Sequence, residues 1–173
     1  MRRAILTAVL VLIAVLFQRP IVSLGQQTSS ADAFPPDSIK WYDYNTGVSV
    51  AQQTGRPIIL WFYGSWCPHC KHMTSVTWCD STIARYLSDY FTPIRIETQS
   101  RKKISVDGVQ MTEAQFATTK FGVRAVPSLW IVEPGGCRIA HLIGFRPVKN
   151  LLPKLDEIKD CQYGDCTNVP LNQ

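Results

Sequence analysis

Apart from one stretch near its start, the sequence has no long apolar run, and even that stretch falls short of the ~20 residues a membrane-spanning helix needs. It runs from Ala4 to Phe17, is interrupted by Thr7 and follows Met1-Arg2-Arg3. No acidic residue precedes Asp32. A basic start and a short apolar core make residues 1–25 a secretory signal peptide by expectation, cleaved after Gly25. Ala31-Asp32-Ala33 offers a second cleavage site, and an uncleaved membrane anchor is the alternative. Dense charge is lacking too. Formal charge is +5, but Arg2, Arg3 and Arg19 belong to the leader and leave 15 basic against 13 acidic residues. Arg101-Lys102-Lys103 is the one basic run, too short to argue for nucleic acid, so no nucleic-acid partner is expected. No internal repeat is visible.

What the chain does have is cysteine: Cys67, Cys70, Cys79, Cys137, Cys161 and Cys166. Six behind a secretory leader suit an oxidising compartment. Two of them form the tetrad Cys67-Pro68-His69-Cys70, set after the apolar run Ile58–Tyr63 and the turn Gly64-Ser65-Trp66. Lys71-His72-Met73 begins a helical pattern, so both sulfurs meet across the first turn of a helix. Cys67 would stand at its N-terminus, where unsatisfied N–H groups favour the thiolate, the form that attacks disulfides. A partly positive His69 beside it would act the same way, and Trp66 would shield one side of the nucleophile and form part of a substrate groove. The pattern predicts thiol–disulfide exchange.

Around the tetrad the chain divides into a polar linker over 26–37, a folded domain over 38–160 and a tail over 161–173. Within the domain, Ile39–Tyr44 has strand-like aromatic content and Val48–Thr54 predicts a short helix ended by Gly55-Arg56-Pro57. A strand at Ile58–Tyr63 precedes the Cys67 helix, which reaches about Trp78. Asp80 caps a helix over Ser81–Asp89, and Phe91–Glu97 is a strand. Residues 98–111 are polar and carry the turn signal Asp107-Gly108. A helix from Thr112-Glu113 to Phe121 is stopped by Gly122. Strands Ser128–Glu133 and Arg138–Ile143 flank Pro134-Gly135-Gly136, and a last helix spans Val148–Asp160. The order predicts an α/β domain, a mixed central sheet flanked by helices on both faces.

With Val126-Pro127 leading into a strand after the tetrad, this order resembles the thioredoxin superfamily over about residues 38–160. Arg56–Lys71 carries the strongest part. Cys70-Lys71, the capped second helix and Gly144-Phe145 look most like extracytoplasmic members of the SoxW type and the C-terminal domain of DsbD. The Pro68-His69 dipeptide is that of the oxidant DsbA, but only 56 residues separate Cys70 from Pro127, leaving no room for the large helical insertion of DsbA-like chains. The resemblance implies a thioredoxin fold, Cys67 as attacking thiol, Cys70 as resolving thiol, and Pro68 and His69 as tuners. It makes Pro127 a cis-proline facing the pair and the Val126 backbone a partner of substrate main chain. No organic cofactor is implied, since the redox disulfide carries both electrons. Partners would be cysteine-containing proteins and a membrane electron donor or acceptor. SoxW and DsbD point to a reductant, Pro-His to an oxidant; the reading taken is a periplasmic or secreted reductant.

The resemblance also exposes departures. Thioredoxins hold a buried aspartate six residues before the first cysteine to handle the second cysteine's proton, and here that position is Trp61. The accompanying lysine is absent from Phe91–Glu97, which leaves water or another group, Glu97 among them, for that proton. Cys79, Cys137, Cys161 and Cys166 are candidates for structural disulfides, with all three pairings open and a local Cys161–Cys166 bridge the first choice. No metal is expected, although Cys67, Cys70 and one histidine have suitable donor atoms. A different class of function, a peptide- or metal-binding adaptor with an inert pair, is separable by thiol titration and elemental analysis.

Overall fold

The computed structural model describes residues 39–159. The expected leader, linker and C-terminal tail, with Cys161 and Cys166, lie outside the described residues.

Six consecutive apolar residues form the central strand β1, Ile58–Tyr63, and such a run is stable as a strand only where both faces are covered. It pairs parallel with β2 (Thr92–Glu97) on one side and antiparallel with β5 (Ser128–Val132) on the other. β5 pairs antiparallel with β6 (Arg138–Ile143), giving the order β2-β1-β5-β6. In sequence, α1 (Tyr44–Thr54) precedes β1, and between β1 and β2 lie α2 (Pro68–Met73), which continues as a π-helical turn over Thr74–Trp78, and α3 (Ser81–Tyr90). A hairpin of β3 (Lys103–Val106) and β4 (Val109–Thr112) leads into α4 (Glu113–Gln115), itself extended by a π-helical turn over Phe116–Lys120; α5 (Val148–Lys159) closes the domain. This is the expected thioredoxin fold.

Two apolar clusters sandwich the sheet. Ile59 and Trp61 pack with Met73, Trp78, Leu87 and Leu155, from α2, its π turn, α3 and α5. Ile58, Leu60 and Phe62 pack with Ala51, Ile104, Val106 and Phe116, from α1, β3 and the second π turn. Period-two alternation along β1 therefore decides which layer each side chain enters.

Two elements differ from the sequence reading. Ile39–Tyr44 makes one bridge, Tyr42 to Ile94, rather than a strand. Its continuation is cut by Asp43, whose side chain accepts from Thr46 N at 3.0 Å and starts α1 at Tyr44 instead of Val48. The polar segment 98–111 holds the β3–β4 hairpin. Asp107 and Gly108 both take positive φ, 51° and 78°, the turn geometry that matches the twist of paired strands.

Candidate active site

The site is assembled where β1 runs out. Tyr63 ends the strand, Cys67 N donates to Gly64 O at 3.0 Å to close the turn, and Cys67 then caps α2. Its sulfur accepts from Cys70 N at 3.3 Å, and its carbonyl accepts from Cys70 N and Lys71 N, both at 3.1 Å. Pro68 is tolerated because the first helical N–H has no intrahelical partner to lose. Capping thus brings the two thiols together: the sulfur that ends the extended chain receives the N–H of the residue bearing the other.

From the opposite side, Cys67 Sγ donates to Val126 O at 3.6 Å, across 59 residues of sequence. The Val126-Pro127 bond is cis, Pro127 is buried, and its carbonyl accepts from Gly144 N at 2.8 Å. The structure therefore brings Cys67, Cys70, Val126 and Pro127 into one place. Pro68 and His69 are exposed on the first turn of α2. Trp66 is 56% exposed, and a Cβ on Gly64 would lie 2.7 Å from its indole, so a glycine at 64 is what lets the ring settle there. His72, also exposed, lies with its ring 4.6 Å from that of Phe145.

The two thiols are not equivalent. Both are in the apolar cluster, yet burial first and then the hydrogen bond with Cys67 push the Cys70 thiol up to about 12. Cys70 thus keeps its proton across the ordinary pH range. Trp61, at the position of the missing aspartate, is fully buried, stacks on Tyr63 at 4.9 Å, lies tilted to Trp41 at 5.1 Å and meets Trp78 edge-on at 5.5 Å. Aromatic packing replaces a charge there. Glu97 is further out, its Oε1 accepting from Ser65 N at 3.3 Å and bracing the turn before Cys67.

Sequence reasoning did not single out Tyr63 and Glu113. Tyr63 is half-buried against the cysteine cluster, and its phenol is pushed up by burial, with Arg95, Glu97, Glu113 and Cys70 within electrostatic reach. Glu113 is 6% exposed. Period-two alternation could have found Tyr63, since it shares the face of Trp61. Nothing local in sequence places Glu113 there.

Of the other cysteines, Cys137 in the β5–β6 turn is disulfide-bonded. Cys79, a candidate for a structural bridge, instead stands exposed as a thiol at the end of the π turn. Among the described residues no group of three or more His, Cys, Asp or Glu is arranged to hold a metal ion. No helix among them is long and apolar enough to cross a membrane.

A family model described as a thioredoxin-like domain matches residues 44–159. Thioredoxin of Alicyclobacillus acidocaldarius is 26% identical over 108 residues, covering 62% of this chain and 87% of that protein. The thiol:disulfide interchange protein DsbD of Campylobacter jejuni is 29% identical over 120 residues, 66% of this chain but 19% of that protein. The chain thus matches a small part of that much longer relative. A solution structure of a thioredoxin from Thermus thermophilus aligns with a TM-score of 0.60 at 23% identity, over 76% of this chain and 94% of that one, which shows a shared fold.

Proposed function

Because the chain belongs to the thioredoxin-like domain family, we propose that its exchange of disulfides runs as reduction of protein disulfides outside the cytoplasm. It is a thiol–disulfide oxidoreductase of thioredoxin type, and its redox disulfide needs no cofactor. The observation that carries the mechanism is the inequality of the two thiols. Cys67 caps the helix and receives a backbone N–H on its sulfur; Cys70 is fully buried and retains its proton.

In the reductive direction the Cys67 thiolate attacks a substrate disulfide. A Cys67–substrate S–S bond forms, the substrate S–S bond breaks, and the leaving sulfur takes the electron pair. Cys70 then loses its proton and attacks Cys67 Sγ, which expels the second substrate sulfur as a thiolate. Two electrons have passed to the substrate, and Cys67–Cys70 is left oxidised until a donor dithiol reduces it. Trp66, exposed beside Cys67, and Val126 O, which Cys67 already reaches, are the surfaces a substrate peptide would meet.

The resemblance to DsbD carries the expectation of a reductant fed by a membrane electron donor, and the matching relative is a thiol:disulfide interchange protein. The basic, apolar start of the sequence supports an extracytoplasmic site. Redox equilibration of the pair with glutathione tests the direction. A potential of roughly −270 mV, as in thioredoxin, bears out a reductant; one of about −120 to −180 mV makes the protein a disulfide donor or isomerase. Cys67→Ser abolishes exchange, and Cys70→Ser accumulates mixed disulfides with substrate proteins. A Cys70→Ser protein that traps none sinks the mechanism.

A further inference from the structure

Resolution of the mixed disulfide requires Cys70 to lose a proton that its surroundings hold tightly. Cys70 has no solvent exposure, and burial is the main reason its thiol stays protonated. The aromatic cluster of Trp41, Trp61 and Trp78 offers no group that can take that proton. One pleat further along the same face of the sheet the chemistry changes. β1 and β2 are parallel and in register, so Trp61 pairs with Arg95 and Tyr63 with Glu97. Two residues of strand move the pair about 7 Å toward the active-site turn. Tyr63 is half-buried against the cysteine cluster and also lines a pocket of about 320 Å³ with Asp43, Arg95, Glu97, Lys102 and Glu113. One side chain thus packs against the cluster that holds the thiols and lines a charged pocket. Burial above all pushes its phenol up, and Arg95, Glu97, Glu113 and Cys70 all lie within its electrostatic reach.

We propose that Tyr63 and Glu97 form the proton path of Cys70, with the pocket beneath them as its outlet to water. As Cys70 attacks Cys67 Sγ, the thiol proton passes to Tyr63 Oη while the phenol's own proton passes to the Glu97 carboxylate and from there to water. Electron bookkeeping is unchanged: the Cys70–Cys67 bond forms, the Cys67–substrate bond breaks, and the substrate sulfur leaves as thiolate. Glu97 has a second task that fits this one, since its Oε1 also holds Ser65 N in the turn that presents Cys67. Arg95 and Lys102 are the cations that line the same pocket. Asp43 and Glu113, the latter 6% exposed, are the other carboxylates lining it.

This inference rests on the thiol–disulfide exchange reading, and one experiment separates the two. Full-length protein carrying Cys79→Ser in every variant, which removes the exposed third thiol, is taken with its Cys67–Cys70 pair reduced and mixed with an aromatic disulfide that releases a coloured thiolate, 5,5′-dithiobis(2-nitrobenzoate). The first release reports formation of the mixed disulfide at Cys67; the second reports its resolution by Cys70. The quantity compared is the ratio of second to first rate, from pH 6 to 10, for wild type, Tyr63→Phe and Glu97→Gln. Phenylalanine keeps the ring stack on Trp61, and glutamine keeps an acceptor for Ser65 N. The proposal expects that ratio to fall at least ~10-fold at pH 7 in Tyr63→Phe and ~3-fold or more in Glu97→Gln, less than the factor of about 10²–10⁴ a positioned acid–base group supplies, because pocket water takes over part of the transfer. It further expects all three proteins to converge by pH 10, where hydroxide takes the proton directly. A merely structural role for either residue would slow both releases and give no convergence. Ratios equal to wild type at every pH, or a deficit that does not close at high pH, overturn the proposal. A wild-type protein that gives no second release overturns the exchange reading, and this inference with it.

Discussion

On one face of β1, Ile58, Leu60 and Phe62 join Ile94, Ile96 and Trp130 in a cluster without a thiol. On the other, Ile59 and Trp61 share a cluster with Cys67 and Cys70. Burial does not distinguish them: Trp61 and Phe62, neighbours in sequence, are both fully buried. What distinguishes them is what lies at the end of the layer. The Trp61 face continues through Tyr63 into the thiols and a charged pocket. The Phe62 face continues into Ser128 and His141, behind the strand that follows Pro127. A strand only six residues long therefore separates redox chemistry from scaffold packing by its two-residue period.

The sharpest test of that separation substitutes the neighbours. Trp61→Ala and Phe62→Ala should each cost about 3–5 kcal/mol in urea unfolding, the usual range for a large aromatic removed from a core. Their chemistry should differ. Cys70 is held protonated mainly by burial, so water admitted beside Trp61 lowers its pKa and speeds its alkylation at pH 8. Phe62→Ala leaves Cys70 alkylation as in wild type. Equal acceleration in both variants would break the comparison between faces.

Gly47 tests the scaffold face alone. A Cβ there would stand 2.3 Å from Ile94 Cγ1 and 2.5 Å from Cδ1, so α1 packs on β2 only because the residue has no side chain. Gly47→Ala should destabilise by about 1–3 kcal/mol through overpacking, with the potential of the cysteine pair unchanged. Gly135→Ala, with nothing within 4 Å of the added atom, is the control and should lie within about 0.5 kcal/mol of wild type. A change in potential in Gly47→Ala would mean that the two layers are coupled through the sheet.

These contrasts also show which parts of the structure are legible in the sequence. Ile58–Tyr63 and Arg138–Ile143 match their observed bounds, because a continuous apolar run and a Pro-Gly-Gly turn are local signals. The Cys67 helix, its capped successor and the cis bond at Pro127 follow from spacing and resemblance. The β3–β4 hairpin is the instructive miss. Ile104 and Val106 alternate with Lys103 and Ser105 beside Asp107-Gly108, but the polar residues on their outward face hide a four-residue strand. Glu113 is a different case. It reaches the pocket of Tyr63 through tertiary packing of α4, bridging 50 residues of sequence that no local pattern spans.

A smaller effect on the thiol face is expected from Asp80. Its carboxylate accepts from Thr82 N at 2.8 Å and Ile83 N at 3.2 Å, satisfying two of the N–H groups that open α3. Asp80→Ala should cost about 1 kcal/mol, and Asp80→Ser much less, because serine supplies the same acceptor. The pair keeps its potential in both, since this cap touches neither thiol. A drop in potential with Asp80→Ala would show that α3 positions Cys70 and would extend the redox face further than the cluster suggests.

The smallest expected effect belongs to the scaffold face and concerns pH. His141 Nε2 lies 2.8 Å from Ser128 Oγ, and its ring stacks on Trp130 at 3.9 Å and 10°. Ser128 is buried and directly follows Pro127. Burial first, then the charge of Arg138 on the same strand, holds the imidazole below its ordinary value of 6.5. The unfolded chain therefore takes up the proton first as pH falls through about 6.5, so the native state loses stability on the acid side and has this contribution in full above it. Between pH 7.5 and 5.5 the wild type should lose more Tm than His141→Gln, by at most a few degrees, because the imidazole is partly solvated. Glutamine keeps a hydrogen-bonding partner for Ser128 and removes the titration, so a difference between the two profiles reports the proton and not the packing. Parallel profiles would mean that the ring accepts its proton without leaving Ser128, and the strand behind Pro127 would then be as indifferent to acid as the rest of its face.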